Sequence, residues 1–382
     1  MTPTPYDTTP EQALSRLRAL PAGAAVVVDL DETLLLDGSV ERFLGSARPA
    51  LLAQPLLLLL DILKPWNFLG GARHRDLWRV RLIATLFPWT WHFWRRAAAR
   101  IAEQQVNRPL LDALAGKQLA LITLSYRPIA APIAAALLPG VPLVACALNR
   151  QDRDAGKPAL MAGQLPDFPL AQATAISDSS DDQPLLAVVA QPLRVVWPQA
   201  RVTPAFEGHY LPLLYTRRLR RPGRRYFLRC VLQEDFAFFL LAALPLAISL
   251  PYLVAGLSVL LLSFWCVYEQ GYVDNDRMAA RFEPDNPRPP SRGHLAYGSP
   301  HWQAGLWALV LALPGCWLTA QGAGAAFTST LVAWLGVLAV TTLWYALYNR
   351  VDPPTRLWLF PGLQALRAFG MAAVAASRYP AR

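Results

Sequence analysis

Residues 24–33 read Ala-Ala-Val-Val-Val-Asp-Leu-Asp-Glu-Thr, an apolar run, Ala24–Val28, that passes without a break into Asp29 and Asp31. Such a run of small and β-branched residues predicts a short buried strand. Two carboxylates spaced i, i+2 at its end face the same side. At the carboxyl edge of a parallel sheet they project into the crevice where ligands bind. Chemically, the first carboxylate can hold Mg²⁺ and attack a phosphoryl group while the second shuttles a proton.

Three further segments follow in order. Lys117–Thr123 reads as a second apolar strand ending in a hydroxyl residue, with Ser125 two positions on. Lys157 closes a polar stretch from Asp152. Ala173–Ser177 reads as another strand, and it runs into Asp178-Ser-Ser-Asp-Asp182. Together with Asp29-Leu-Asp-Glu-Thr33, these segments resemble the four motifs of the haloacid dehalogenase (HAD) phosphatase superfamily over roughly residues 20–200. The resemblance implies an α/β Rossmann-like domain. It also implies a nucleophile at Asp29, a general acid and base at Asp31, and a phosphate contact at Thr123 or Ser125, of which Thr123 fits the strand end better. Lys157 would neutralise phosphoryl charge. Mg²⁺ would be held by Asp29, Asp31 through its carbonyl, Asp178 and, on spacing, Asp182 rather than Asp181. Oxygen ligands without His or Cys suit Mg²⁺ rather than zinc.

About eighty residues, 35–116, separate the first two motifs. A strand-to-strand crossover needs far fewer, so this stretch is expected to be an inserted helical cap. Leu51–Leu63 is almost wholly apolar, yet too short to cross a bilayer. Arg81–Arg96 sets Phe87, Trp89, Trp91, Phe93 and Trp94 between arginines. Two readings are open: ordinary buried cap helices, or a cap resting on a membrane interface, where Trp and Arg are at home.

Composition changes after Pro204. Arg217, Arg218, Arg220, Arg221, Arg224, Arg225 and Arg229 precede an uncharged apolar run, Phe236–Tyr268, and contribute much of the net charge of +10. Beside a membrane segment such a basic stretch reads as a flank facing anionic lipid, and nucleic acid is not expected as a partner. The apolar run exceeds the roughly 20 residues of one crossing, so a split near 250–256 into two helices is expected. Further candidates at 302–320, 326–348 and 357–376 make about five helices of an all-α, multi-pass transmembrane part. The uncharged loops alternate with arginine-bearing ones, which predicts a cytoplasmic N-terminal domain. Arg378 and Arg382 fit that alternation less well, and Arg367 lies inside the last candidate.

Tyr272-Val-Asp-Asn-Asp276, followed by Arg288-Pro289, resembles the first Asp-rich motif of the intramembrane (UbiA) prenyltransferase superfamily. On that resemblance Asn275, Asp276 and Glu283 would form a degenerate prenyl-diphosphate site, with Ala279 where the family carries a carboxylate. The alternative reading is a polar turn capped by Asn and Asp. The scattered Cys146, Cys230, Cys266 and Cys316 show no metal spacing, and reduced thiols are expected.

The domain plan expected is an extension at 1–20, a phosphatase domain at 21–205, a basic juxtamembrane linker at 206–232 and a transmembrane prenyltransferase-like domain at 233–382. The expected protein sits in a bacterial inner membrane and hydrolyses a phosphorylated small molecule or lipid with Mg²⁺. Two alternatives are prenyl or phosphoribosyl transfer in the membrane part and an inactive scaffold. A second copy of the chain or a separate membrane subunit are the partners left open.

Overall fold

The computed structural model describes residues 5–220, 227–282 and 301–376. Arg221, Arg224, Arg225, Glu283, Arg288, Pro289, Arg378 and Arg382 lie outside the described residues. The chain divides into two compact units, Met1–Glu207 and Gly208–Arg382.

The first unit is a five-stranded parallel sheet in the order β3-β2-β1-β4-β5. The strands are β1 (Ala25–Asp29), β2 (Gln118–Tyr126), β3 (Leu143–Cys146), β4 (Thr174–Ser177) and β5 (Gln191–Arg194). Every residue of β4 and all but the first of β1 are buried. This is why they read as unbroken apolar runs rather than alternating ones. The helices are α1 (Pro10–Ala19), α2 (Ser39–Gly45), α3 (Ala50–Leu63), α4 (Arg75–Leu86), α5 (Thr90–Gln105), α6 (Arg108–Ala113), α7 (Arg127–Leu137), α8 (Arg150–Gln164) and α9 (Gln183–Leu186).

The expected extension is built into this unit. Thr9 caps α1 by accepting from the Gln12 amide, and Ala13 and Leu17 enter the core below the sheet beside Val26, Val28 and Leu193. Asp7 meets the buried Arg194 of β5 at 2.6 Å.

Helices α2 to α6 fill the insertion between β1 and β2 as an all-helical cap. Phe43 and Trp94 join Tyr126 and Ile129 of the sheet layer in one core, and the Trp94 indole donates to the Ile129 carbonyl at 3.1 Å. Arg79, Glu41 and the Ala205 amide close the same side: buried Arg79 and partly buried Glu41 form an ion pair, and Glu41 also accepts from Ala205 N at 2.7 Å.

The second unit is all-helical: α10 (Ala237–Ala243), α11 (Leu250–Phe282), α12 (His301–Ala323), α13 (Phe327–Tyr348) and α14 (Pro353–Ala376). Among the described residues, α11, α12 and α13 are long and apolar enough to cross a membrane. The expectation of about five crossings is revised accordingly. The predicted split of the first apolar run occurs earlier, at the turn around Pro245, and leaves α10 with seven residues. Helix α14 is 24 residues long but carries Arg356 and Arg367, and Arg367 pairs with Asp235 at 2.8 Å.

Helices α11 and α12 approach closely because glycines stand at the crossing. A side chain at Gly256 would collide with Thr319, one at Gly315 with Leu260 and one at Gly322 with the Leu253 backbone. Ser263 ties three helices: its hydroxyl donates to the Ala308 carbonyl at 2.7 Å and accepts from the Trp334 indole at 3.0 Å.

The segment expected as a linker is, in its described part, folded onto α11. Buried Glu269 accepts from the Tyr210 hydroxyl at 2.9 Å, from Leu213 N at 2.8 Å and from Thr216 N at 2.6 Å.

Candidate active site

The carboxyl ends of β1, β2 and β4 lie side by side, since Asp29 is in register with Ile122 and Val28 with Ile176. The acidic and hydroxyl residues at or just beyond the ends of these strands therefore converge on one edge. Beyond Asp29 the chain coils back: Leu34 N bonds to Asp29 O and Leu35 N to Leu30 O, with Glu32 left-handed at φ 57°. A non-glycine residue held there stores local strain, which recurs where a loop must aim functional groups.

Buried Asp29 accepts from its neighbour's amide, Leu30 N, at 2.9 Å and from the Ser177 hydroxyl at 3.1 Å. Lys157 reaches the same carboxylate at 2.8 Å and Asp182 at 2.6 Å. It arrives by a break in α8: Gly156, at φ 76° and ψ 170°, turns the chain immediately before Lys157. A side chain is strained in that conformation, so glycine is the residue for the position.

Asp31 accepts from Ser39 N at 2.6 Å and from the Thr123 hydroxyl at 2.9 Å. Ser39 and Ser125 share a hydroxyl contact of 2.9 Å. The Thr33 hydroxyl donates to Asp178 at 3.2 Å. Asp29, Asp31, Thr123, Ser125, Lys157, Asp178 and Asp182 are thus gathered at one edge of the sheet. Asp182 is engaged by Lys157 and the Ser177 hydroxyl. Its neighbour Asp181 is exposed.

The electrostatics are those of a crowded acidic centre with one buried cation. Burial is the largest influence on Asp29 and pushes its carboxyl well up; Lys157 opposes this, while Asp182 and Asp178 add to it. Burial also raises Asp178, with smaller opposing contributions from hydrogen bonds and Lys157. For Lys157 burial works against the ammonium, but Asp29 and Asp182 outweigh it, so its pKa moves up and it stays charged.

Among the described residues, no three His, Cys, Asp or Glu side chains converge as a ready-made metal cage. Buried Asp29 and the partly buried Asp178, which raises the Asp29 pKa, nevertheless gather acidic charge that Lys157 opposes. A two-carboxylate set completed by main chain and water is the usual manner of binding Mg²⁺, which dehydrates reluctantly.

The sequence profile of the haloacid dehalogenase-like hydrolase family matches residues 26–187. This segment is a haloacid dehalogenase-like hydrolase domain. It spans β1, the cap and all of the residues above, and it supports a hydrolase of the phosphatase type. The family generally uses Mg²⁺. No curated protein and no solved structure matches the chain.

Other residues of the centre were not singled out as site residues in the sequence. Ser177 bridges Asp29 and Asp182, Thr33 holds Asp178, and the Ser39 amide holds Asp31. The first two sit inside or next to the motifs, so their position was the available signal. Arg153 carried none: it joins the Leu124 carbonyl on β2, at 2.9 Å, to Arg73 and Asp76 of the cap.

The second acidic motif is arranged differently. Tyr272–Asp276 lies within α11, not in the turn or loop expected. On a helix, Asp274 and Asp276 point to opposite sides. Asp276 accepts from the Tyr215 hydroxyl at 2.7 Å and pairs with Arg220, whose guanidinium lies 3.9 Å from the Tyr272 ring centre. Asp274 meets His301 at 2.9 Å on a cavity of about 490 Å³, also lined by Gln270, Arg277, Asn349 and Arg350. The Asn275 side-chain oxygen is buried without a partner among the described residues. Asn275 and Asp276 therefore do not form an open carboxylate cage, and Glu283 lies outside the described residues.

Proposed function

We propose that this chain is a membrane-anchored, Mg²⁺-dependent phosphatase that hydrolyses a phosphate monoester through Asp29. The observation that carries the reading is the Lys157–Asp29 contact of 2.8 Å at the end of β1, with Asp31 and Thr123 beside it. A nucleophilic carboxylate must be buried, aimed and next to a fixed positive charge that can receive phosphoryl oxygens. In the proposed reaction an Asp29 oxygen attacks phosphorus and the bond to the alcohol breaks, with Asp31 giving its proton to the departing oxygen. Water then attacks the aspartyl-phosphate, Asp31 takes its proton, and inorganic phosphate leaves with Asp29 restored. Thr123 and Ser125 donate to phosphoryl oxygens, and Lys157 holds their charge. Mg²⁺ held by Asp29, Asp178 and main-chain oxygen would add neutralising charge at the same oxygens.

A lipid-borne phosphate is the preferred substrate class, a polyprenyl-linked one among the candidates. The same chain carries three helices able to cross a membrane, and tethering raises the local concentration of anything in that bilayer. The arginine-bearing segments favour a cytoplasmic hydrolase unit at a bacterial inner membrane. The deciding experiment is phosphate release by full-length protein in detergent, from soluble and prenyl-linked monoesters, with Mg²⁺ or EDTA. The expected result is Mg²⁺-dependent release that Asp29→Asn lowers by at least about a thousandfold. Release that survives Asp29→Asn overturns the mechanism. Equal kcat/KM for soluble and lipid substrates removes the lipid preference, and no release from any substrate favours the scaffold reading.

A second reading, diphosphate binding by the membrane unit as in prenyl or phosphoribosyl transfer, has the cavity beside Asp274, Arg277 and Arg350 in its favour. It predicts Mg²⁺-dependent diphosphate binding lost in Asp274→Asn; unchanged binding overturns it.

A further inference from the structure

Helix α3 has two faces. Ala53, Gln54 and Leu57 are buried, whereas Leu52, Leu59, Ile62 and Leu63 are each at least half exposed. Positions i, i+7, i+10 and i+11 fall on one side of a helix, so the exposed residues form a continuous apolar stripe. The only charge in the helix, Asp61, lies off that stripe and is held by Nε and Nη2 of Arg75 at 3.0 and 2.9 Å.

The stripe continues into a structured tip. Phe68, 86 % exposed, and the exposed Leu69 follow the α3 cap at Lys64. The tip is anchored from below: Trp66 is buried, Gly71 N bonds to the Trp66 carbonyl at 2.7 Å, and His74 contacts the Gly70 carbonyl at 2.6 Å and Asp154 at 3.1 Å. Phe68 is therefore displayed on a fixed scaffold. At the other end of α3 the half-exposed Trp89 donates its indole N–H to the Arg48 carbonyl at 2.6 Å. Exposed Phe93 follows one turn later on α5.

Charge around these residues is mainly basic, with Asp61 paired to Arg75, Asp76 to Arg153 and Asp154 to His74. No acidic residue occurs between Asp61 and Asp76, where Lys64, Arg73 and Arg75 stand, or between Asp76 and Glu103, where Arg95, Arg96 and Arg100 are exposed. A soluble surface rarely leaves leucines, phenylalanine and tryptophan together in water without a partner. Trp and Arg beside aliphatic residues suit the headgroup boundary, and basic residues add attraction to anionic lipid.

We propose that the apolar stripe of α3 and the Phe68 tip insert into the headgroup region of an anionic bilayer, docking the cap on the membrane. The bilayer is favoured over a second copy of the chain, because two copies of a basic-rimmed patch repel each other. It is a permanent neighbour of a chain with three membrane-capable helices. This inference does not depend on the phosphatase reading.

The test uses full-length protein in nanodiscs of phosphatidylcholine with phosphatidylglycerol, its four cysteines replaced by serine or alanine. A single cysteine placed by Phe68→Cys or Ile62→Cys carries an environment-sensitive nitrobenzoxadiazole label, with Ser15→Cys on the exposed side of α1 as reference. Lipids bearing a shallow doxyl quencher are expected to quench the Phe68 and Ile62 labels at least about twofold more than the Ser15 label. Quenching should weaken when phosphatidylglycerol is omitted. Equal quenching at all three positions overturns the proposal. So does a blue-shifted label that lipid fails to quench, which would place protein, either the second unit or another copy, on the stripe. Leu59→Gln with Ile62→Gln, both on the exposed face, should lower quenching at the Phe68 label; no change overturns it again.

Discussion

The acids at the end of β1 and those along α11 are the same chemical groups in opposite surroundings. At β1, Asp29, Asp31, Asp178 and Asp182 crowd one edge with Lys157 as the buried cation, and burial with mutual repulsion drives Asp29 and Asp178 upward. Along α11 each acid has its own neutralising or hydrogen-bonding partner. Glu269 has a hydroxyl and two amides, Asp276 has Arg220 and Tyr215, and Asp274 has His301. A carboxylate that must react is left under-compensated and aimed into a crevice. One that holds segments together is matched by a nearby donor or cation. Sequence spacing alone places both clusters among candidate sites; the crowding of several carboxylates around one buried lysine separates them.

The sharpest way to break this contrast is to remove the cation from each cluster. Lys157→Met is expected to lower phosphate release by about 10²–10³-fold, the usual loss when one preorganised charge is taken from a transition state. Lys157→Arg should retain part of the rate, showing that charge and not mere folding is at issue. Arg220→Met should leave release near wild type while lowering the thermal stability of the membrane unit. If Arg220→Met stops release and Lys157→Met does not, the roles are reversed and the contrast fails.

A smaller effect is expected at Glu269. Glu269→Ala leaves Leu213 N and Thr216 N without this acceptor and removes one of the acceptors of the Tyr210 hydroxyl, a loss of about 1–3 kcal/mol for buried donors. Amide exchange of Leu213 and Thr216 in detergent should accelerate accordingly, with phosphate release from soluble substrates unchanged. Unaltered exchange would mean the segment is held by the burial of Tyr210 and Tyr215 rather than by the acid.

What the sequence disclosed follows from how local each signal is. The β1 run and the i, i+2 acids are decided within ten residues, so strand and face were legible at Asp29 and Asp31. Thr123 and Asp178 were legible because each ends or follows an apolar run. The delivery of Lys157 depends on the left-handed Gly156, a tertiary fact. Strand β3, only four residues long, left no clear pattern, and the split at Pro245 fell before the predicted point because Pro251 sits in the first turn of α11, where proline is tolerated. Asp276 looked like a ligand because its partner, Arg220, is 56 positions away.

The cap supplies the smallest and most pH-specific prediction. Burial favours a protonated Glu41, but the Arg79 ion pair and the Ala205 amide outweigh it, and the net effect lowers its pKa below the usual 4.5. A folded-state pKa below the unfolded one adds stability that is present above pH 4.5 and fades as pH falls through the lowered value. Exchange of α2 and α4 amides, corrected for intrinsic rate, should therefore accelerate on acidification below pH 4.5. Glu41→Gln, which cannot titrate, should be less stable at neutral pH and lack that step. The exposed pair Arg201–Glu207 is the internal reference, since a solvated ion pair is worth roughly 0–1 kcal/mol and Glu207→Gln should change little at any pH. An acid step that persists in Glu41→Gln would assign it to other carboxylates, and the contrast between paired and under-compensated acids would then need redrawing within the first unit itself.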